Sequence, residues 1–437
     1  MVDTPERVVF WKATHDTPWR VNRDDATTAV VRAAQLGVAF AGVGLLVPLV
    51  VSRRRRWARP VRDLAASPTA TAVVPAGFAL TVAGLHGLID VPTPSTPDEF
   101  SNLLLADTLA HGRLANPMPA LWEHFEAIAV LVQPVYTSKY PPGHGLMLAF
   151  GQLWGHPWLG VWIEVGLAAA AVAVAVRRWL GPRAALFAGL GFAFHPSIMA
   201  YASYWHGQVN YSWAHGYFGG ALATVGGALL LGAIGRREKP VRWLVASGAG
   251  LLILAHTRPL EGLLMALPCT VVLLRQLRAT GAFARGMNVL VPFAALILAS
   301  VGGYNTALTG SPTSFPHRLY AEQYSAAAMF LFQEPKPFPS YVNPPIERFY
   351  KRYQRRTFES SWSWESRREQ TARVMLYFAW PGMIGLVGLV WVRRRDLWVP
   401  GVMLGLGGAT GVLMMEWHPH YLAPAVPALF LLAMAGL

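Results

Sequence analysis

The sequence predicts an all-α polytopic membrane protein with about 11 transmembrane helices and two long extracytoplasmic loops containing interfacial helices. Three observations lead there. Of 437 residues, 54% are hydrophobic and only 14% charged, against roughly 25% charged in soluble domains. Apolar runs approaching the ~20 residues that cross a bilayer recur along the chain. The basic residues collect in short clusters between those runs, the pattern that orients a membrane protein.

In chain order, spans are expected at 28–51, 70–89, 158–176, 184–200, 216–234, 242–257, 260–277, 287–307, 373–391, 397–415 and 421–437. The stretch GHGLMLAFGQLWG, 143–155, is too short to cross and reads as a helix at the interface. Clusters at Arg53 to Arg56 with Arg59 and Arg62, at Arg177, Arg178 and Arg183, and at Arg236, Arg237, Lys239 and Arg242 fall in alternate loops. So do Arg275, Arg278 and Arg285, and Arg393, Arg394 and Arg395. These loops hold 19 of the 37 Lys and Arg but 3 of the 23 Asp and Glu, which places them in the cytoplasm. The N-terminus then lies outside, as do the loops 90–157 and 305–372. Residues 1–94 form an N-terminal extracytoplasmic tail and two spans, and 95–437 the main domain.

The same reading excludes several classes. A charge of +14 would suit nucleic acid in a soluble protein, but orientation in the membrane accounts for it, so no nucleic-acid partner is expected. Cys269 is the sole cysteine and lies in an apolar run, so neither a disulfide within the chain nor a cysteine metal site is expected. The first 25 residues are polar and mixed in charge, which predicts no cleavable signal peptide. The apolar end, PAVPALFLLAMAGL, predicts no soluble cytoplasmic domain after it. There is no Gly-rich phosphate loop. All 13 histidines fall in outer regions or at outer ends of spans.

Candidate chemistry therefore gathers outside. Asp98 and Glu99 follow the second span, where partial desolvation raises a carboxylate's basicity; capping of the helix through SNLLLADTLAHG by Thr96 or Asp98 is the structural alternative. Asp107 on that helix reads as structural. WEHFEAIAV is an amphipathic stretch suited to the membrane surface. In KYPPGHG, two prolines and two glycines set a rigid turn, and Lys139 either meets a lipid phosphate or snorkels at the interface. In HTRPLEG, an arginine and a glutamate at membrane depth must be paired or used; Arg258 either pairs with Glu261 or grips a phosphate. Glu164, inside a span, needs a partner or a function. Lys351, Arg352, Arg355 and Arg356 precede WSW and suit anionic head groups, or form a solvated face balanced by Glu347, Glu359 and Glu365. Glu416, His418 and His420 raise a possible divalent metal, with substrate hydrogen bonding as the other reading. The aromatic turn 201–215 suits sugar stacking or an interfacial belt.

In this order, DEFSNLLLADTLAHGRL, KYPPGHG, GHPWLGVW, YFGGALATVGGALLLGA, TRPLEGLL, YNTALTGSP and HYLAPAVPAL resemble the GT-C superfamily of membrane glycosyltransferases. The similarity is to family-39-like members, akin to protein O-mannosyltransferases and lipid A aminoarabinose transferases, and covers about residues 95 to 437. The resemblance implies an inverting hexosyl- or pentosyltransferase of the plasma (inner) membrane. It would move a sugar from a polyprenyl-phosphate donor to a lipid, glycan or protein hydroxyl facing the periplasm or cell exterior. It implies catalysis by Asp98 as base, with Glu99 positioning it or sharing the work. Lys139 and Arg258 would hold the phosphate, Glu261 would orient Arg258, and Tyr140 and His144 would contact substrate. His420 and Tyr421 would line the sugar pocket. Residues 1–90 and the expanded 201–215 turn depart from the pattern. The competing class is a transporter or flippase of a lipid-linked substrate, which expects internal repeats and midplane charges; the sequence shows no repeat, and most of its ionisable residues lie outside rather than at midplane.

Overall fold

A computed structural model of the chain describes residues 59–89, 91–199, 212–235, 241–379, 381–392 and 394–437. The expected first span, the N-terminal tail and Arg53 to Arg56 of the first arginine cluster lie outside these residues. So do most of the 201–215 turn and the cluster at Arg236, Arg237 and Lys239.

Among the described residues, five helical segments are long and apolar enough to cross a membrane: Pro68–Leu88, Trp158–Leu180, Pro259–Ala279, Phe283–Thr309 and Pro419–Gly436. In chain order the helices are α1 (Arg59–Ala66), α2 (Pro68–Ile89), α3 (Pro97–Ala110), α4 (Pro142–Leu153), α5 (Trp158–Leu180) and α6 (Pro182–Ala193). There follow α7 (Ala221–Ile234), α8 (Val241–Thr257), α9 (Pro259–Ala279), α10 (Phe283–Thr309) and α11 (Pro316–Tyr324). The short α12 (Pro344–Arg348) and α13 (Arg355–Ser360) are joined by a π turn, Phe349–Gln354. The chain closes with α14 (Trp364–Tyr377), α15 (Gly385–Gly388), α16 (Trp398–Leu413), a 3-10 turn Pro419–Ala425 and α17 (Val426–Gly436). Proline occupies the first turn of many of these helices, where its missing N–H costs nothing.

Three expectations are corrected. The span at 184–200 stops at Ala193, because Pro196 disfavours helical backbone at the residue before it. The span at 373–391 is broken: α14 ends at Tyr377, and 3-10 turns flank α15. Here Gly385 and Gly388 let the backbone press on α17; a Cβ on either would lie 1.9 Å from the Ala433 carbonyl oxygen or 2.1 Å from that of Gly436. The fold is also not wholly helical. Strands β1 (Asn116–Pro117), β2 (Val130–Leu131) and β3 (Val135–Ser138) form an antiparallel sheet in the order β1-β3-β2. Strands of two to four residues are too short for an alternating pattern to declare itself. Within the amphipathic stretch WEHFEAIAV, WEHF makes one 3-10 turn and the chain then runs on to β2.

The main core lies among α2, α5, α6, α7, α9, α16 and α17, and is built of small residues with Leu, Val and Phe. Small residues let helix backbones approach where lipid provides no hydrophobic drive. Gly227 on α7 is the extreme case, since a Cβ there would sit 1.9 Å from the Pro424 carbonyl oxygen. Gly227→Leu is expected to cost on the order of 3 kcal/mol or more, because backbone cannot yield as a side chain does. A melting temperature in detergent equal to wild type would rule this out. Conversely, α10 is apolar yet buries only Gly286, Tyr304, Asn305 and Leu308, an outward apolar face that suits lipid. α4 is likewise two-faced: Leu146, Phe150, Leu153 and Trp154 are exposed on one side, as an interfacial helix requires.

The bundle has two chemically different ends. At one, Arg177 donates to the carbonyls of Ala65 and Ala66, Arg178 lies over Trp243, and Arg394 reaches the Trp179 carbonyl. At the other end of α5, Trp158 donates to the Ala214 carbonyl; the carboxylates and histidines described next gather there.

Candidate active site

Asp98 and Glu99 are neighbours with different surroundings. Glu99 is 2% exposed. As third residue of α3 it reaches back to the N–H groups of Ser95 (2.9 Å) and Thr96 (3.3 Å) through Oε2, one arm of a capping box. Its Oε1 accepts from the Tyr217 N–H at 2.9 Å. Both oxygens are thus occupied by backbone. Asp98 points elsewhere: Oδ1 accepts from the Tyr140 hydroxyl at 2.5 Å, and Oδ2 has no hydrogen-bond partner among the described residues.

The segment at Tyr217 explains three polar groups at once. Its carbonyl accepts from Asn102 at 2.9 Å and faces His144 Nε2 at 3.1 Å. The next residues, Gly219 (φ 75) and Gly220 (φ 127), take backbone that favours glycine. Irregular backbone buried in a bundle must be satisfied by side chains, and Glu99, Asn102 and His144 do this. His144 Nδ1 meets the buried Glu164 at 3.0 Å. Both His144 ring nitrogens are thus engaged within the protein, and Glu164 has a hydrogen-bond partner. Asp107 also proves structural, accepting from Gln152 of α4 at 2.9 Å.

Lys139 and Tyr140 follow β3 directly. The strand is fixed by Ser138, whose hydroxyl lies 2.7 Å from that of Ser101 and accepts from the Tyr140 N–H. The Lys139 ammonium sits between two rings, 5.0 Å from the centroid of Tyr140 and 4.9 Å from that of Tyr320. Burial pulls it below the usual lysine range, while the Asp98 and Glu416 carboxylates pull it back up. Burial first, then Asp98, raises the Tyr140 phenol well above its ordinary value, so Tyr140 is a hydrogen-bond donor at neutral pH.

Arg258, at the N-cap of α9, lies 3.8 Å from Glu261 and 5.0 Å from the Tyr421 ring centroid. That separation from Glu261 is a loose pairing, which leaves the guanidinium donors usable. The charges acting on Tyr421 come from Arg258, Glu261, Asp98 and Glu416. The final turn therefore closes over the same place as α3 and the α8–α9 junction. His420 is buried, with its ring against Phe218 at 5.8 Å and His418 at 5.5 Å. Glu416 and His418 meet at 3.6 Å, but among the described residues no group of three or more His, Cys, Asp or Glu is arranged to hold a metal ion.

The structure thus brings together Asp98, Lys139, Tyr140, Arg258, Glu261 and Tyr421, with His420 beside them. It adds residues that the sequence reading missed. His317 on α11 is acted on by Lys139, Asp98 and Arg258, and burial with the two cations holds it down at about 3. Tyr320, one turn later, covers Lys139, accepts from the Ala129 N–H at 2.7 Å and meets the Tyr350 hydroxyl at 2.5 Å. Tyr324 donates to Glu126 at 3.0 Å. These contacts fold the 305–372 loop onto the 90–157 loop. The only sequence signal was the helical spacing of His317, Tyr320 and Tyr324 in PHRLYAEQY, which does not say what that face covers.

His317 has a pH consequence. Its folded value near 3 lies below the unfolded 6.5, so the unfolded chain binds the proton first. Its contribution to stability is complete above about pH 6.5 and is lost as pH falls toward 3. His317→Gln is expected to flatten the fall of melting temperature across that window. A slope matching wild type would contradict the assignment.

No family model matches the chain, and no curated protein matches it. Among solved structures it is similar to the crystal structure of ArnT from Cupriavidus metallidurans bound to undecaprenyl phosphate. The TM-score is 0.44 and the identity 16%, over 84% of this chain and 59% of that one. The chain therefore spans less than two thirds of that protein's length.

Proposed function

We propose that this protein is an inverting glycosyltransferase of the plasma membrane, moving a sugar from a polyprenyl-phosphate donor to an extracytoplasmic acceptor hydroxyl. The observation that carries the reading is the convergence of Asp98, whose Oδ2 has no hydrogen-bond partner among the described residues, with two cations, Lys139 and Arg258, where lipid-compatible helices end. A single displacement needs a base on the acceptor side and positive charge on the leaving-group side. Asp98 Oδ2 takes the proton of the acceptor hydroxyl. The acceptor oxygen bonds to the anomeric carbon, and the bond from that carbon to the phosphate oxygen breaks. Lys139 and Arg258 bear the negative charge left on the polyprenyl phosphate.

The remaining residues position these groups. Tyr140 fixes Oδ1 so that Oδ2 faces outward, Tyr320 holds the ammonium of Lys139, and Glu261 limits the sweep of Arg258. Glu99 and His144 act at one remove, through the backbone at Tyr217. Tyr421 and His420 wall the space beyond Arg258 and suit a sugar ring. The sidedness follows from the basic residues at the opposite end of the bundle.

Purified protein in proteoliposomes, supplied with a polyprenyl-phosphate donor carrying a labelled sugar, is expected to form a covalent glycosylated product. Translocation of the donor lipid across the bilayer with no such product would instead identify a flippase.

A further inference from the structure

Ser101 lies one turn after Asp98 on α3, and the transfer described above does not use it. It is fully buried. Its hydroxyl meets two partners, the Ala129 carbonyl at 2.6 Å and the Ser138 hydroxyl at 2.7 Å. The proton directions follow by elimination. A carbonyl can only accept, so the single Ser101 proton goes to Ala129 and the Ser138 proton goes to Ser101. Ser138 in turn accepts from the Tyr140 N–H at 3.1 Å. One directed chain therefore runs from Tyr140 through two hydroxyls to Ala129. Tyr140 is thus tied to α3 at both ends, by its N–H through Ser138 and Ser101 and by its phenol through Asp98.

Ala129 is the other end of the tie, and its backbone is strained. Its φ is 68, in the left-handed region that a residue with a Cβ seldom adopts. Such a conformation persists where the surroundings over-determine it. Ala129 is fully buried and both of its backbone polar groups are held. Its N–H donates to the Tyr320 hydroxyl at 2.7 Å, and its carbonyl accepts from Ser101 and, at 3.3 Å, from the Lys139 N–H. Tyr320 also lays its ring over the Lys139 ammonium. Three segments distant in sequence therefore meet at one residue: α3, the turn after β3, and α11. The two groups assigned to proton acceptance and charge stabilisation hang from the first two of these. Tyr140 is their shared contact, bonded to Asp98 through its hydroxyl and lying 5.0 Å from the Lys139 ammonium through its ring.

We propose that Ser101 is a positioning residue of the transfer: through Ser138 and the strained Ala129 backbone it sets where Lys139 and Tyr140 stand relative to Asp98. The assignment rests on the transferase reading above. Ser101→Ala removes both bonds without adding volume. The single-turnover rate is measured in proteoliposomes per site, with sites counted by the stoichiometry of bound polyprenyl phosphate lacking sugar. Misplacing a reacting group by about 1 Å costs up to about 100-fold, so the rate per site is expected to fall about 10- to 100-fold. Only folded sites bind the lipid, so a poorer yield of folded protein does not enter that number. Thr71→Val is the comparison. Thr71 is equally buried at the Arg177 end of the bundle, where its hydroxyl donates to the Ser67 carbonyl at 2.7 Å. That variant should melt earlier than wild type yet keep the wild-type rate per site. Ser138→Ala cuts the same chain in the strand rather than in the helix, and it should also slow turnover. It carries the test if Ser101→Ala does not fold. The two losses should not multiply in the double variant, because the hydroxyls act in series. A wild-type rate per site in Ser101→Ala, or in Ser138→Ala where only that variant folds, overturns the proposal. An equal loss of rate in Thr71→Val would make burial the cause and overturn it too, as would losses that multiply. Product in the wild type with undiminished turnover in the variants fails this proposal alone; a wild type that forms no glycosylated product sinks the transferase reading and the role of Ser101 with it.

Discussion

Asp98→Asn is expected to lower kcat by about 10²- to 10⁴-fold, the range of a lost general base, with little change in donor KM. The amide is nearly the same size as the carboxylate, and its oxygen still accepts from Tyr140, whose hydroxyl lies 2.5 Å from Oδ1. The cap of α3 does not depend on Asp98, because Glu99 performs it. Folding should therefore persist while the proton acceptor is lost. Single-turnover rates and melting temperature, measured on the same preparation, separate the two effects. Full activity in the variant would remove Asp98 from the base role; lost activity with a collapsed melting temperature would make it structural.

Lys139→Met should be the next most damaging change. Methionine keeps an unbranched stem between the Tyr140 and Tyr320 rings but removes the charge. Loss of one preorganised group that stabilises a leaving oxyanion costs about 10²- to 10³-fold in kcat. Affinity for a polyprenyl phosphate without sugar should fall as well, because the buried ammonium would meet the phosphate in both ground state and transition state. A lysine that merely snorkels at an interface would tolerate methionine with unchanged turnover and lipid affinity. That outcome would leave Arg258 as the phosphate ligand and withdraw Lys139.

Some of this site was legible in the sequence. Arginine and glutamate at a short junction between two apolar runs, as in TRPLEG, are too costly at membrane depth to lack a role, and the structure places both at the bundle end. The acidic pair was equally visible, but its division of labour was not. Thr96 with Glu99 three residues later is a capping-box spacing; it competes with a catalytic reading until the direction of each carboxylate is known. His144 shows the same ambiguity. Its turn was recognisable, yet the Glu164 and Tyr217 groups that occupy its ring are 20 and 73 residues away. Nothing local records such a partner.

The two long loops, 90–157 and 305–372, were least legible. Hydropathy reports the bilayer as solvent, and its signal ends where the loops begin. The small sheet has strands too short for periodicity, and α11 meets the first loop through residues about 190 positions apart, such as Tyr320 and Ala129. The broken span at 373–391 was apolar enough to mislead, because composition does not register that Gly385 and Gly388 seat backbone on backbone.

By itself the sequence determined that the chain is a helical membrane protein, with basic clusters and carboxylates assigned to opposite sides. Those are properties of composition and of order along the chain, and the bilayer acts on each segment almost independently. Tertiary structure alone decided which polar groups are tied to the backbone and which are left open. It turned Glu99 and His144 inward to satisfy backbone, left Asp98 Oδ2 open, and laid His317 and Tyr320 over Lys139. Those choices depend on hydrogen bonds and charges between distant segments, whose strength follows distance and burial rather than sequence spacing.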